Sequence, residues 1–325
     1  MVKCIVPLAR GGGFDKEVNR TPYMVSIAGK PVIGHLLDQL KPLRPEEVVF
    51  ILDAEDKELM GYVKDSFEFR SRFILQRQSK GSAHALYGAR KYVEGDLVIL
   101  FGDTFFDADI KGLPPKGADG VIWTSRVKDP RELGVAFLNG EYATRLIEKP
   151  DDPVSDMAMV GLYYVRDASS LFDSISYLLE NDIRTKGSFH LTDALQHMIR
   201  NGARFVTREV REWIDADRGD GLFDLNAMVL GTHARQFGSR RQAVVRPPVH
   251  LGKGSRVEGA VIGPNVSVGD GAVVRDAVVR DAVVCSEARV EGASLARSVV
   301  ERKAAVRGVP HEVRVGRGSR VRLNE

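Results

Sequence analysis

The 325-residue chain predicts an α/β domain on a parallel or mixed sheet, followed by a parallel β-helix of hexapeptide repeats. Two patterns predict this. Through about residue 125, near-continuous apolar runs alternate with segments of helical spacing. From Val245 onward, an aliphatic residue recurs about every six positions.

KCIVPLA (3–9) is a short apolar strand that opens into the Gly-rich stretch ARGGGFDKEVNRTP (9–22). PVIGHLLDQL (31–40) places Ile33, Leu36, Leu37 and Leu40 on one helical face. EVVFILD (47–53), DLVILFGD (96–103) and GVIWTSRV (120–127) read as buried strands, and SAHALYGARKYV (82–93) as a helix between them. Strand and helix in alternation, with apolar strands lacking a polar face, require a sheet covered on both sides. Ligands of such sheets sit at the carboxyl ends of the strands, where the Gly turn at 11–13 and the FGD turn at 101–103 fall. Residues 130–230 mix strands (GVAFLN, ATRLIEK, AMVGLYYV) with helices (SSLFDSISYLLEND, LTDALQHMIRNG). FDLNAMVLGTHARQF (223–237) closes the domain as a helix, and SRRQAVVRPP (239–248) reads as a boundary.

Val245, Leu251, Val257, Ile262, Val268 and Val274 are spaced by five or six residues, and Val279 and Val284 continue in steps of five. Glycine follows the aliphatic residue at 252, 263 and 269. Each coil then stacks an aliphatic on the one before, with small residues at the corners. No regular Asn-Gly or Asp-Gly signal supports the alternative, a meander of hairpins. The domains are expected at 1–238 and 239–325.

Hydrophobic residues are 43% of the chain, enough for a sizeable core. A net charge of +3 is too small to argue for nucleic acid, although from Arg302 onward Arg and Lys outnumber Glu seven to two. The two cysteines, Cys4 and Cys285, have neither metal-ligand spacing nor a disulfide framework. No signal-peptide core and no run of about 18 apolar residues is present, so a soluble, cytoplasmic protein is expected and no membrane partner.

Eight segments in order resemble the sugar-1-phosphate nucleotidyltransferases. They are LARGGG, AGKPVIGHLLDQL (28–40), LQRQSKGSAHAL (75–86), FGDTFF (101–106), GVAF…LIEKP (134–150), VGLYYV (160–165), HLTDAL (190–195) and WIDAD (213–217). The resemblance is to the glucose-1-phosphate thymidylyl- and uridylyltransferases with a left-handed β-helix tail. It implies a Rossmann-like mixed sheet and a reaction in which a sugar-1-phosphate oxygen attacks the α-phosphate of dTTP or UTP, releasing pyrophosphate with Mg²⁺. It further implies that Asp103 and Asp215 hold the metal and that Gln76 and Gly81 read the base. Gly134, Glu148, Lys149 and Gly161 line the sugar side, Glu148 on hydroxyls and Lys149 on the sugar phosphate. Gly11 and Gly13 keep the register of the triphosphate loop. His84 and His190 lie inside matching segments without an evident partner spacing and are expected as packed or surface histidines.

The chain departs from the family pattern at that loop. Phe14 and Asp15 stand where Thr-Arg is usual, and the Pro-Lys pair falls on Thr21-Pro22 or Pro22-Tyr23, neither with a lysine. WIDAD places Asp217 where the family has glycine. Losing one phosphate donor costs on the order of 10²-fold in rate. Arg10, Lys16 and Arg20 flank the loop and could supply the missing charge. Three readings follow: an active enzyme with those substitutes; a catalytically weak or silent homologue that binds a sugar nucleotide as regulatory subunit or sensor; or an acyltransferase on the coil using His250 or His311 as base. Self-association through the coil would cover its open edges and make a homo-oligomer.

Overall fold

The computed structural model describes residues 2–8, 22–76, 78, 80–113, 116–216, 220–236 and 238–308. By their contacts, the residues form two compact units, Met1–Val25 with Pro31–Leu225, and Ser26–Lys30 with Asn226–Glu325.

In chain order the first unit begins with β1 (Lys3–Leu8). A short hairpin, β2 (Ser26–Ile27) and β3 (Lys30–Pro31), whose residues Ser26–Lys30 belong to the second unit, precedes α1 (Val32–Asp38). Then come β4 (Glu47–Leu52), α2 (Lys57–Ser66), β5 (Arg70–Leu75), α3 (Ser82–Tyr87), β6 (Leu97–Leu100), β7 (Thr104–Asp107) and β8 (Gly120–Arg126). β9 (Gly134–Asn139), β10 (Tyr142–Glu148), β11 (Met157–Val165), α4 (Ala168–Glu180), α5 (Leu191–Arg200), β12 (Phe205–Glu209) and β13 (Glu212–Asp215) follow, and α6 (Gly221–His233) passes from the first unit into the second at Asn226.

Nine strands form one sheet in the order β5-β4-β1-β6-β11-β8-β12-β10-β9. β5, β4, β1 and β6 run parallel, and β11 enters antiparallel to both β6 and β8. This is the mixed sheet that the apolar runs predict. Every residue of β4 is buried, as a strand covered on both faces requires. Its one charge, Glu47, accepts from Arg72 Nε at 2.9 Å. Asp56 and Asp167 cap α2 and α4 by accepting from first-turn N–H groups. The expected helix over 82–93 is shorter: α3 stops at Tyr87 before Gly88, and a 3-10 turn covers Arg90–Tyr92.

The second unit is a three-sided parallel coil of the left-handed β-helix type. Its ladders run through Arg240, Val257, Val274, Val290 and Val306; through Val245, Ile262, Val279 and Leu295; and through Leu251, Val268, Val284 and Val300. The eight aliphatic residues of the six-residue pattern all fall on these rungs, and seven of them are buried in the coil core, with Val245 packed against it. Residues 239–248, read as a boundary, already form its first strands at Ser239–Arg241 and Val244–Val245. On one outer face Arg241, Glu258, Arg275, Glu291 and Arg307 alternate in sign along one ladder, with Arg275–Glu258 and Arg307–Glu291 ion pairs at 3.0 and 3.2 Å. On another, Ala28 N–H donates to Ser267 Oγ at 2.8 Å, Ser267 Oγ–H donates to Asn226 Oδ1 at 2.6 Å, and Asn226 Nδ2 donates to Asn265 O at 2.9 Å. This relay ties the Ala28–Lys30 part of the AGKP segment to the coil rather than to the sheet that follows it in sequence.

Among the described residues no helix is long and apolar enough to cross a membrane. Cys4 has no exposure at the sheet centre, and burial pushes its thiol above the usual range; Cys285 is 4% exposed. A thiol-alkylating reagent followed by mass spectrometry should therefore leave both unmodified in the native protein and label both in denaturant. Native labelling of Cys4 would remove β1 from the sheet interior.

Candidate functional site

The expected residues fall in three groups, all in the first unit, two of them beyond the carboxyl ends of the parallel strands β6 and β5. The first follows β6. Gly102 N–H donates to Pro7 O at 3.0 Å, which sets the FGD turn beside the end of β1. Thr104 pairs with Asp215 across the β7–β13 ribbon, and Ala216 N–H donates to Asp103 O at 2.8 Å. Asp103 and Asp215, distant in sequence, therefore sit at neighbouring positions. Thr104 Oγ1 donates to Asp103 Oδ1 at 3.1 Å. Gly161, at φ +85°, accepts from Phe101 N–H at 2.9 Å and lies against Thr104.

The second group is on β9, β10 and α5. Glu148 pairs with Gly134 in the β9–β10 register, and a Cβ on Gly134 would stand 3.0 Å from Glu148 Oε2. Thr192 Oγ1 donates to Glu148 Oε2 at 2.5 Å, and His190 Nδ1 lies 3.4 Å from Glu148 Oε1. Tyr163 follows Gly161 on β11, past a register shift in its pairing with β8; burial first, then the Glu148 and Asp103 carboxylates, push its phenol well above the usual range. Lys149 follows at φ +43°, with Nζ 3.4 Å from Glu132 Oε2. It lines an open cavity of about 410 Å³ with Arg131, Glu132, Pro150, Asp151 and Lys186.

The third group follows β5. Gln76 N–H donates to Leu52 O at 2.7 Å. Its Nε2 lies 2.8 Å from His84 Nδ1 and donates to His84 O at 3.1 Å. Gly81 has φ +118°, and a Cβ there would meet Phe189 N at 2.7 Å. Ser82 Oγ accepts from Leu191 N–H at 2.9 Å, and Ala83 N–H donates to Phe189 O at 3.0 Å. The segment that holds Gln76 and Gly81 is thus fastened to the one that carries His190 and Thr192 to Glu148.

Arg10, Gly11, Gly13, Lys16 and Arg20 lie outside the described residues, as do Phe14, Asp15, Asp217 and His311. Tyr23, in one register the counterpart of the family lysine, is 4% exposed with its hydroxyl beside Gly102. Sequence reasoning missed Tyr163 and Thr192, and it left His84 and His190 without partners that both have. His250 is 4% exposed, and Gly29 packs on its ring, so it cannot reach a substrate as the base of an acyltransferase.

Residues 18–231 match the family described as nucleotidyl transferase. The chain belongs to that family. The family resemblance is thereby confirmed; seven of the eight segments lie within the match, and LARGGG (8–13) precedes it. Among nucleotidyl transferases, a glucose-1-phosphate thymidylyltransferase of Streptomyces antibioticus is 26% identical over 92% of this chain and 93% of its own. The bifunctional protein GlmU of Methanococcus maripaludis is 26% identical over 76% of this chain and 58% of its own. A solved structure from Bacillus anthracis, assigned as a glucose-1-phosphate thymidylyltransferase, superposes with a TM-score of 0.60 at 21% identity, covering 70% of this chain and 95% of that one. It supports the fold.

No group of three or more His, Cys, Asp and Glu side chains suited to a metal occurs among the described residues. Asp103 and Asp215 still fit Mg²⁺, which takes one or two carboxylates and completes its shell with water and substrate phosphates.

Proposed function

We propose that this nucleotidyl transferase joins a sugar-1-phosphate to a nucleoside triphosphate. A sugar-phosphate oxygen bonds to the α-phosphorus, the bond from that phosphorus to the bridging oxygen of the β-phosphate breaks, and pyrophosphate leaves. The observation that carries the reading is the placement of Asp103 and Asp215 at neighbouring positions beyond the carboxyl end of β6. Bound between the two aspartates, Mg²⁺ would offset charge on the phosphates. Glu148, held by Thr192, accepts from sugar hydroxyls, and Lys149 meets the sugar phosphate beside Gly134 and Gly161. Gln76 and Gly81 face the base. Gly11 and Gly13 let the loop backbone approach the triphosphate, and Arg10, Lys16 or Arg20 supply its cation. The 26% identity to the Streptomyces antibioticus enzyme favours dTTP or UTP with glucose-1-phosphate. Self-association through the coil belongs to the same reading, supported by Val244, Val261 and Val278, which stack in register on its outer face, two of them about half exposed.

Pyrophosphate release by the purified protein tests this, with Mg²⁺, a nucleoside triphosphate panel, and glucose-, mannose- and glucosamine-1-phosphate. Turnover with one pair is expected. A folded protein that turns over none of them, yet melts higher with a sugar nucleotide, would be the sensor that Phe14 and Asp15 suggest.

A further inference from the structure

We infer that His84 is a positioning residue that locks the Gln76 amide with its oxygen outward, and that this lock selects uracil or thymine over cytosine. The inference rests on the proposed function, within which it assigns base choice to a residue outside the expected set.

The orientation of a glutamine amide follows from its partners. A backbone carbonyl can only accept. The Gln76 atom 3.1 Å from His84 O must therefore be the NH₂ group. That same nitrogen lies 2.8 Å from His84 Nδ1, so Nδ1 must accept and the ring proton belongs on Nε2. Lys80 N–H also points at Nδ1, at 3.4 Å, and requires the same tautomer. Burial first, then the Lys80 charge, hold the imidazole below its usual value, which favours the neutral ring this arrangement needs.

Both protons of the Gln76 NH₂ group are then committed to one residue, and among the described residues Oε1 receives no hydrogen bond. Gln76 can accept from a base but has no proton left to donate. Uracil and thymine present an N3–H donor. Cytosine presents a bare N3 lone pair, which would face the amide oxygen unpaired, and a buried acceptor left unpaired is costly. A glutamine free to flip would read either base equally well. The selectivity therefore belongs to the His84 acceptor as much as to Gln76.

Titration calorimetry with UTP, dTTP, CTP, ATP and GTP, in Mg²⁺ and without sugar phosphate, tests this on the whole chain. The wild-type protein should bind UTP or dTTP best and at least about tenfold more tightly than CTP. His84→Ala keeps the α3 helix and removes the Nδ1 acceptor; the ratio of UTP to CTP affinity should fall by about three- to tenfold. His84→Asn, whose Oδ1 takes the place of Nδ1, should keep the ratio. Gln76→Met should bring it close to one. A merely structural role for His84 would weaken all five nucleotides together and leave the ratio unchanged, which overturns the inference. ATP or GTP bound best, or UTP and CTP bound alike by wild type, overturns it too and leaves the proposed function standing. A folded wild-type chain that binds none of the five overturns both.

Discussion

Asp103→Ala should lower pyrophosphate release by on the order of 10³-fold or more while the protein stays folded. Asp103 lies in the turn after β6, partly exposed, and its Oδ1 accepts from Thr104 Oγ1 at 3.1 Å. The ribbon that positions the turn is made by backbone pairing between β7 and β13 and by Ala216 N–H on Asp103 O, neither of which needs the carboxylate. The substitution therefore removes negative charge from the place where triphosphate and metal would meet and leaves the scaffold intact. Asp215→Asn should act in the same direction at the neighbouring position. The checks are the steady-state rate at saturating substrates and the melting temperature of each variant. Loss of activity with an unchanged melting curve supports metal binding at this pair. Retention of more than about a tenth of the rate would move the metal elsewhere.

Much of this arrangement was legible in the sequence, for reasons that differ from element to element. EVVFIL reads as a buried strand because five apolar residues follow Glu47 without a polar alternation, and all six of its residues are buried. The coil reads from its spacing because each inward aliphatic must meet its counterpart one turn away, and Val245, Ile262, Val279 and Leu295 do so in register. Pairs that cross the fold leave no such trace. Thr192 and Glu148 are 44 residues apart, and Ala28 and Ser267 are 239 apart. No local period links them, so the motifs gave residue types without the partners that aim them. His84 shows the intermediate case: Gln76 is only eight residues away, but the contact spans a turn between β5 and α3 that neither the strand nor the helix period describes.

Gly161→Val should cost about 2–4 kcal/mol of stability and lower Tm by roughly 5–15 °C. Two separate causes contribute. A β-branched residue at φ +85° is strained whatever surrounds it. A side chain there also has no room: its Cβ would run into Thr104 Oγ1 and stand 3.3 Å from Phe101 Cβ. Gly202 separates the two causes. Its φ is +95°, but nothing lies within 4 Å of a Cβ built on it, so Gly202→Val carries the strain without the collision. Thermal melts of the two variants should therefore differ, with Gly161→Val the lower. Activity should differ more. Thr104 is the residue that Gly161→Val must push, and Thr104 Oγ1 holds Asp103 Oδ1. Displacing it misaims the carboxylate, so the folded fraction of Gly161→Val should turn over at least about tenfold more slowly than wild type, and Gly202→Val at the wild-type rate. Equal melting temperatures would show that the site has slack around Thr104. An unimpaired rate in a destabilised Gly161→Val would separate the packing of β11 from the aim of Asp103.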